Sequence, residues 1–303
     1  SFDQALAFAR RVEASDLPFD VNFRAGFVYE HLDLDLDEPV LQDPRVRRAL
    51  VHAIDRQRLT DALFEGRQPP ALHFEAPASP WYTDDPEKIV VYEHSRRMAA
   101  DLLDEAGWTL GKDGFRYDDR GNPLRLTLST TAGNKMREIV QVYLQDQWRA
   151  IGVDTRIQNG PARIFFGQTI RRRLFDGAAM YAWIQSPELS PRPTVHSTQI
   201  PSEANGWSGQ NNPGWASPRV DWLVEALEAE FDASKRLDLI HEILWHYTNE
   251  VPVIPLYYRS ENSVTPANLT GYRVTAHQVY ATNHVERWNL EQDPAERVGR
   301  AAP

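Results

Sequence analysis

The sequence predicts an α/β fold. The main observation is the run from residue 124 to residue 184, where short β-rich stretches and amphipathic helical stretches alternate in the order β-α-β-α-β. A second is composition: 42 % of the 303 residues are hydrophobic, with nine Trp, eleven Tyr and twelve Phe. That is enough apolar surface for a sizeable core and too much for a disordered chain. The length accommodates two domains or one large lobed one.

Taken in order, Phe2 to Val12 reads as a short helix with Phe2, Leu6, Ala9 and Val12 on one face, closed by Pro18. Val21 to Tyr29 reads as a strand. Leu32, Leu34 and Leu36 then alternate with Asp33, Asp35 and Asp37, a period of two that predicts an extended segment with one wet face. The glycine and terminal glutamate of a calcium-binding loop are missing from their offsets, so these aspartates are read as solvated. Asp43 caps a helix opened by Pro44, with Val46, Ala49, Leu50, Ala53 and Ile54 on one face. Asp55 caps a second helix, Arg56 to Phe64, which Gly66 ends. The proline-rich stretch from Gln68 to Pro86 is a long loop. Tyr92 to Ala106 is helical, with Met98, Leu102 and Leu103 as core positions, and stops at Gly107-Trp108.

Phe115 to Tyr117 and Leu124 to Leu128, around Asp119-Arg120-Gly121-Asn122, read as a hairpin. Met136, Ile139, Val140, Tyr143, Leu144, Gln147 and Trp148 mark a long amphipathic helix ended by Gly152. Val153 to Ile157 is a strand, Ala162 to Leu174 a helix, and Ala178 to Ile184 a strand. Residues 185–216, rich in Ser, Pro, Asn, Gly and Gln, form a loop long enough to suggest a function. Two helices follow, one from Ser217-Pro218 with Val220, Leu223 and Leu227 inward, one over Ser234 to Tyr247. Val251 to Tyr258 is a strand whose prolines suit a crossover or an edge. Leu269 to Val274 and Val285 to Trp288 read as short strands, and the residues after Gln292 as disordered. There is no internal repeat.

A net charge of -10 argues against a nucleic-acid partner, and the one basic run, Arg171-Arg172-Arg173, reads as a solvated helix face. With no cysteine, disulfides and thiolate metal sites are excluded. No stretch approaches the roughly 20 apolar residues of a transmembrane helix. No signal peptide opens the chain, so an N-terminal region is expected to have been removed. His241 and His246 fall five residues apart, about 140° off one helix face, which defeats a zinc-protease reading. A nucleophile elbow and a phosphate-binding Gly-rich loop are both missing. A glycosidase with two catalytic carboxylates has no positive support. The reading therefore assigns no catalytic residue, no metal and no cofactor.

Two segments stand out as candidate sites. Asn205 to Trp215 mixes amides with Trp207 and Trp215, which suits a wet recognition surface for a polar solute; a structural loop with Trp plugging the core is the equal alternative. Tyr181, Trp183 and Gln185 alternate along one strand and face one side, either the packed face or a cleft wall. A strand end running into a long loop favours the cleft.

Five segments, in order, resemble the family 5 extracellular solute-binding proteins, which include oligopeptide- and dipeptide-binding proteins. Asp43-Pro44-Arg45-Val46-Arg47-Arg48-Ala49 through Ala53-Ile54-Asp55-Arg56 is similar to the family's "D-x-R-V-R-x-A…A-I-D-R". Leu102 to Trp108 is similar to "L-L-x-E-A-G-W", and Gln145 to Val153 to "L-x-x-I-G-I". Asn211-Asn212-Pro213 through Asp221 resembles "Y-x-N-P-x-x-D", and Val251 to Tyr257 completes the series.

The resemblance implies a type II, two-lobed periplasmic-binding-protein-like fold that closes over its ligand by a hinge, and it implies that the chain is a C-terminal part. Residues 1–41 and 266–303 would return to the first lobe, and residues 42–265 would form the second. It implies solute capture for an ABC importer, a peptide or other small polar solute bound between the lobes. The protein would not be an enzyme. A permease would dock on the outer faces, the membrane would be met only indirectly, and the full-length protein would be a monomer. The location would be periplasmic or extracellular, with a lipid anchor as one option. The ligand-binding set is then Tyr181, Trp183, Gln185, Ser186, Glu188, Trp207, Gln210 and Asn211. In peptide binders of the family an Asp three residues after the strand's Trp pairs with the peptide amine. Here Ser186 stands there, which would cost a desolvated ammonium about 3 kcal/mol, unless Glu188 substitutes. Sugars, opines and metal chelates are other solute classes in the family. Two further functions remain open: the sensing domain of a transcriptional regulator with the same fold, and a hydrolase.

Overall fold

The computed structural model describes residues 1–186, 189–275 and 281–291. Side chains next to the helix ends set most of the boundaries. Helix α1 (Phe2–Ser15) opens on a capping box in which Ser1 and Gln4 satisfy each other's backbone N–H groups. Strand β1 (Phe19–Leu34) follows, then the short α2 (Pro39–Gln42). Asp43 accepts the Arg45 N–H at 2.8 Å to start α3 (Pro44–His52), and Asp55 accepts the Arg58 N–H at 2.9 Å to start α4 (Arg56–Phe64). Ser95 caps α5 (Arg96–Glu105). Next come β2 (Thr109–Leu110), β3 (Arg116–Tyr117) and β4 (Arg125–Ser129). Asn134 caps α6 (Lys135–Arg149), and Gly152, at φ 89, lets the chain turn into β5 (Asp154–Ile157). The short α7 (Ala162–Ile164) passes into a π-helical turn, Phe165–Ile170, ahead of β6 (Ala178–Ile184). The rest is α8 (Arg192–Val195), α9 (Pro218–Ala229), α10 (Ala233–Glu250), β7 (Val253–Pro266), β8 (Leu269–Thr270) and β9 (Asn289–Leu290).

Five strands form one mixed sheet in the order β5-β4-β6-β1-β7. β4 is parallel to β5 and β6; β1 is antiparallel to β6 and β7. On one face Leu32, Leu34, Leu128, Met180 and Leu256 pack under α3 to α6. On the other, Phe27, Tyr29 and Tyr258 pack under α9 and α10, and Ala179 and Tyr181 under the π-helical turn. β7 is an edge strand, as its prolines suggested.

β1 and β7 outrun the sheet. Their inner halves pair from Asp33–Val253 to Tyr29–Tyr258; the register then shifts, and the outer halves pair from Ala25–Ser260 to Phe19–Pro266 as a two-stranded ribbon. β6 accompanies β1 only from Leu34 to Val28. Helix α1 lies on the ribbon, with the Phe8 and Phe19 rings 5.7 Å apart.

Several expectations are corrected here. Asp33 and Asp35 are 3 % and 7 % exposed, because β1 is an interior strand covered on both faces; a period of two shows that faces differ, not that one is wet. β3 pairs with β2 across a tight turn at residues 111–114, and across the turn at residues 119–122 the expected hairpin is a short one: Tyr117 and Pro123 form an antiparallel bridge and the Leu124 N–H donates to the Arg116 carbonyl at 2.7 Å, before β4 joins the main sheet. The helix expected from Tyr92 begins at Arg96, where Ser95 supplies the cap, and Met98 is 49 % exposed. The Ala162–Leu174 helix ends early, at Ile170, and in the turn that follows Arg173 has a φ of 51°. Arg173 is not solvated: it donates to the Asn212 carbonyl at 2.8 Å and pairs with Asp37 at 2.8 Å. Val285 to Trp288 lies in and after a 3-10 stretch, Ala281–Arg287, and the strand there is β9. Residues 28–34 of β1 pair with β6 in this sheet, and Leu41 packs in its core. The tail after Gln292 lies outside the described residues.

Glu75 is a buried acid, 2 % exposed, and burial raises its pKa from 4.5 to about 7. Such a group favours the fold fully below about pH 4.5, and that contribution is lost as the pH rises through about 7. Glu75→Gln is therefore expected to flatten the decline between these values and to raise stability at pH 8 by roughly 2–3 kcal/mol. Urea midpoints at pH 5 and pH 8 measure it; an equal gap between the two pH values in parent and variant would refute it.

Candidate functional site

The connection from β4 through α6 leads to β5 on one side of β4, whereas the next connection leads to β6 on the other. Ligands of open α/β sheets bind at such reversals, beyond the strands' carboxyl ends. β1 is antiparallel to β6, so the ribbon leaves the sheet at this same end.

Backbone pairing of β6 with β4 stops at Ser129–Ala179. From Met180 to Ile184, β6 bonds to β1 on one side, and among the described residues no strand takes the other side. The open edge is bordered by the loops after β4 and β5. Thr130 Oγ1 donates to the Met180 carbonyl at 2.7 Å, and the Gly160 N–H to the Thr130 carbonyl at 3.1 Å. Gln141 and Asn159 lock their amides together at 2.8 and 2.9 Å. A cavity of about 230 Å³ lies here, lined by Ser129, Asn159, Gly160, Phe165 and Thr169 among others, and the space where a Cβ of Gly160 would point is open.

The candidate residues fall into two groups. Trp183 is half-buried, its ring edge-on to Tyr181 at 6.3 Å. Tyr181 lies behind it, 2 % exposed; its hydroxyl donates to Asp33 and accepts from Asn212 Nδ2 at 2.8 Å, and burial holds its pKa far above the ordinary value. It supports the wall and does not form its surface. The Gln185 N–H donates to the Phe27 carbonyl at 2.9 Å, and its buried Nε2 has no partner among the described residues. Ser186 is exposed; Glu188 lies outside the described residues.

Trp207, Gln210 and Asn211 lie on the loop before α9. Their loop is tied down at the start of β6: Arg173 bonds the Asn212 and Pro213 carbonyls and reaches Asp35, whose N–H donates to the Gly177 carbonyl. The same loop also reaches along the strand, where Asn212 Nδ2 donates to the Tyr181 hydroxyl at 2.8 Å, behind Trp183. Trp207 sits under the Arg172 guanidinium at 5.7 Å, and Gln210 is exposed with its N–H on the Pro193 carbonyl. The Asn211 side chain is fully buried and spent inside the loop, accepting from the Trp215 N–H at 3.0 Å and donating to the His196 and Trp215 carbonyls. Loop composition suggested recognition; for Asn211 the structural alternative describes what its amide does. Of the two helix histidines, His241 is buried, and His246 pairs with Glu250 at 3.1 Å.

Sequence reasoning missed Glu30, Arg137 and Arg259. Glu30 is 1 % exposed; Arg137 grips it with Nε at 3.1 Å and Nη2 at 3.2 Å, and Arg259 contacts the same carboxylate. They line a cavity of about 580 Å³ that also borders Val28, Gln68 and Ser260. The available signal was a charge at an inward position, since Glu30 alternates with Val28 and Leu32 on one face of β1.

A mixed sheet of this order, with a topological reversal at its open end, places the chain among the type II periplasmic-binding-protein-like folds. Residues 7–201 match the family described as bacterial extracellular solute-binding proteins, family 5 (middle region), and the chain belongs to that family. It is 25 % identical to the oligopeptide-binding protein AppA of Bacillus subtilis (strain 168) over 262 residues, 86 % of this chain and 47 % of AppA. It is 28 % identical to the nickel-binding periplasmic protein of Escherichia coli (strain K12) over 225 residues, 74 % of this chain and 41 % of that protein. The solved oligopeptide-binding protein of Thermus thermophilus, complexed with a pentapeptide, superposes with a TM-score of 0.77 at 28 % identity, over 90 % of this chain and 48 % of that one. The chain thus spans about half the length of these relatives. Among the described residues no helix is long and apolar enough to cross a membrane.

Proposed function

We propose that this chain supplies one lobe of a solute-capturing protein that delivers its ligand, outside the cytoplasm, to an ABC importer permease docked on the lobe's outer face. The observation that carries the reading is the open edge of β6 at the reversal point. An extended solute laid along Met180 to Ile184 gains backbone hydrogen bonds there, as in strand addition, and side groups enter the cavities on either side. The relatives named for oligopeptides suit this geometry. The lobe starts at the register shift of β1, near residue 26, and the ribbon is its connection to a second lobe. Trp183, Gln185 and Ser186 form the contact surface, Glu188 joins them, and Tyr181 braces Trp183. No step of this function is catalytic, and the intact protein acts as a monomer.

The test is what the intact protein carries. After purification under non-denaturing conditions and denaturation, mass spectrometry should identify a defined set of released solutes. Release of nothing above background, with no melting-temperature response to any candidate solute, would refute capture. Trp183→Ala is expected to weaken binding of the released solute about 100-fold, roughly the 2–3 kcal/mol of a buried aromatic anchor. Calorimetric titration reads it, and an unchanged affinity would remove Trp183 from the site.

A further inference from the structure

We infer that the lobe carries a second ligand site, on its outer side, for a small neutral aromatic molecule with one N–H or O–H donor. The site is separate from the crevice and does not depend on the solute-capture reading.

It is a groove of about 360 Å³ between the end of α3, the segment before α5, α5 itself and the end of α10. Asn249, in its lining, comes shortly before Val253, whose strand partner is Asp33. The groove therefore lies at the end of the sheet remote from the ribbon and from Ile184. Its walls are held in place. The Val90 N–H and the Tyr92 hydroxyl both bond Thr248, each at 2.9 Å. The Ser95 N–H donates to the His52 carbonyl at 2.8 Å, and Arg48 turns to Asn249 through Nε at 2.9 Å and Nη2 at 3.0 Å. A pocket formed before its ligand arrives costs little ordering on binding.

His52 gives the site its polarity. It is 7 % exposed, and its Nδ1 donates to the Glu93 carbonyl at 2.8 Å. A proton on Nδ1 leaves a lone pair on Nε2, which has no partner among the described residues. An acceptor this enclosed is costly without a donor, and a ligand that supplies one recovers the loss. Around it, Val90, Met98 and Leu102 offer aliphatic and thioether surface, and the Tyr92 ring stands edge-on to His52 at 5.0 Å. Met98, a core position in the sequence pattern, is half-exposed because it borders this groove. Charge narrows the ligand further. Asp101 and Glu105 repel anions and Arg48 repels cations, whereas a neutral flat ring meets a ring edge, a thioether and one acceptor. The volume is at the small end of the roughly 300–1,000 Å³ of small-molecule sites.

The experiment titrates the full-length protein, by calorimetry, with two probes that differ in the donor: indole and 1-methylindole. The expected result is saturable binding of indole, about tenfold weaker binding of 1-methylindole, and an unchanged indole affinity in Trp183→Ala. His52→Phe should bring indole down to the level of 1-methylindole and leave 1-methylindole as it was, which a loss of folding would not do. Met98→Trp, at a half-exposed position, should fill the groove and abolish indole binding without lowering the melting temperature; it decides the matter if His52→Phe fails to fold. Equal affinities for the two probes, indole binding that survives Met98→Trp, or indole binding lost in Trp183→Ala would each overturn the inference. Tighter binding of N-acetyltryptophanamide than of indole would overturn it in favour of a tryptophan side chain from a protein partner.

Discussion

Glu30→Leu is expected to cost about 3–5 kcal/mol of folding stability, because it strands a charge and not because it removes an attraction. Arg137 is 8 % exposed, and two of its nitrogens rest on Glu30. Without that carboxylate a buried guanidinium keeps only the Thr131 hydroxyl. The pair joins β1 to the first turn of α6, so the sheet and its covering helix are pushed apart together. Adding Arg137→Met to Glu30→Leu should recover most of the loss, since a buried ion pair replaced by apolar groups of similar size is often neutral. Urea midpoints of the parent, both single variants and the double variant form the cycle. A Glu30→Leu protein as stable as the parent would show that Arg137 reaches water.

Arg56→Ala is expected to cost a similar amount for a different reason. Arg56 ends the motif that began at Asp43, is 8 % exposed, and pairs with no carboxylate among the described residues. Its guanidinium donates to the carbonyls of Ala71 at 2.7 Å, Tyr92 at 3.0 Å and Pro255 at 3.4 Å. Burial lowers its pKa to about 10, still far above neutrality, so it stays charged. These bonds hold the long loop after α4 and the segment before α5 against β7. Alanine leaves buried carbonyls unpaired and a cavity behind, together about 3–5 kcal/mol, or a melting temperature roughly 10 °C lower. Arg56→Lys should lose about half as much, because a point charge serves three divergent carbonyls poorly. A shift below about 2 °C for Arg56→Ala would mean that water replaces the guanidinium without penalty.

These two residues also show what the sequence disclosed. Helix starts were legible because the cap is local: Asp43 and Asp55 each bond an N–H two or three residues ahead. Ala178–Ile184 was legible to the residue as an apolar run closed by Gly177 before it and a polar loop after it. Burial of Asp33 and Asp35 was not, because it depends on β1 entering the sheet between β6 and β7, strands drawn from distant parts of the chain. The candidate residues divide in the same way. Trp183, Gln185 and Ser186 follow from one strand's alternation and exit. The position of Trp207 depends on where its loop is tied to β6, through contacts of Arg173 and Asn212 that no spacing rule reveals. Glu30 and Arg259 meet only because β1 and β7 are neighbours.

That neighbourhood has a consequence for how the molecule is made. β1 is synthesised well before β7, yet β7 is its partner on one side, and Phe19 must find Pro266. Contacts of such long sequence separation slow folding, since the intervening chain must be closed before they repay its entropy. Throughout that interval Phe19–Leu34 presents one unpaired edge, and its outer half no partner on either side, to any other chain nearby. The segment from Val253 onward therefore decides whether the earlier ones fold or aggregate, and a nascent chain halted before it would carry its long helices over a sheet it cannot finish.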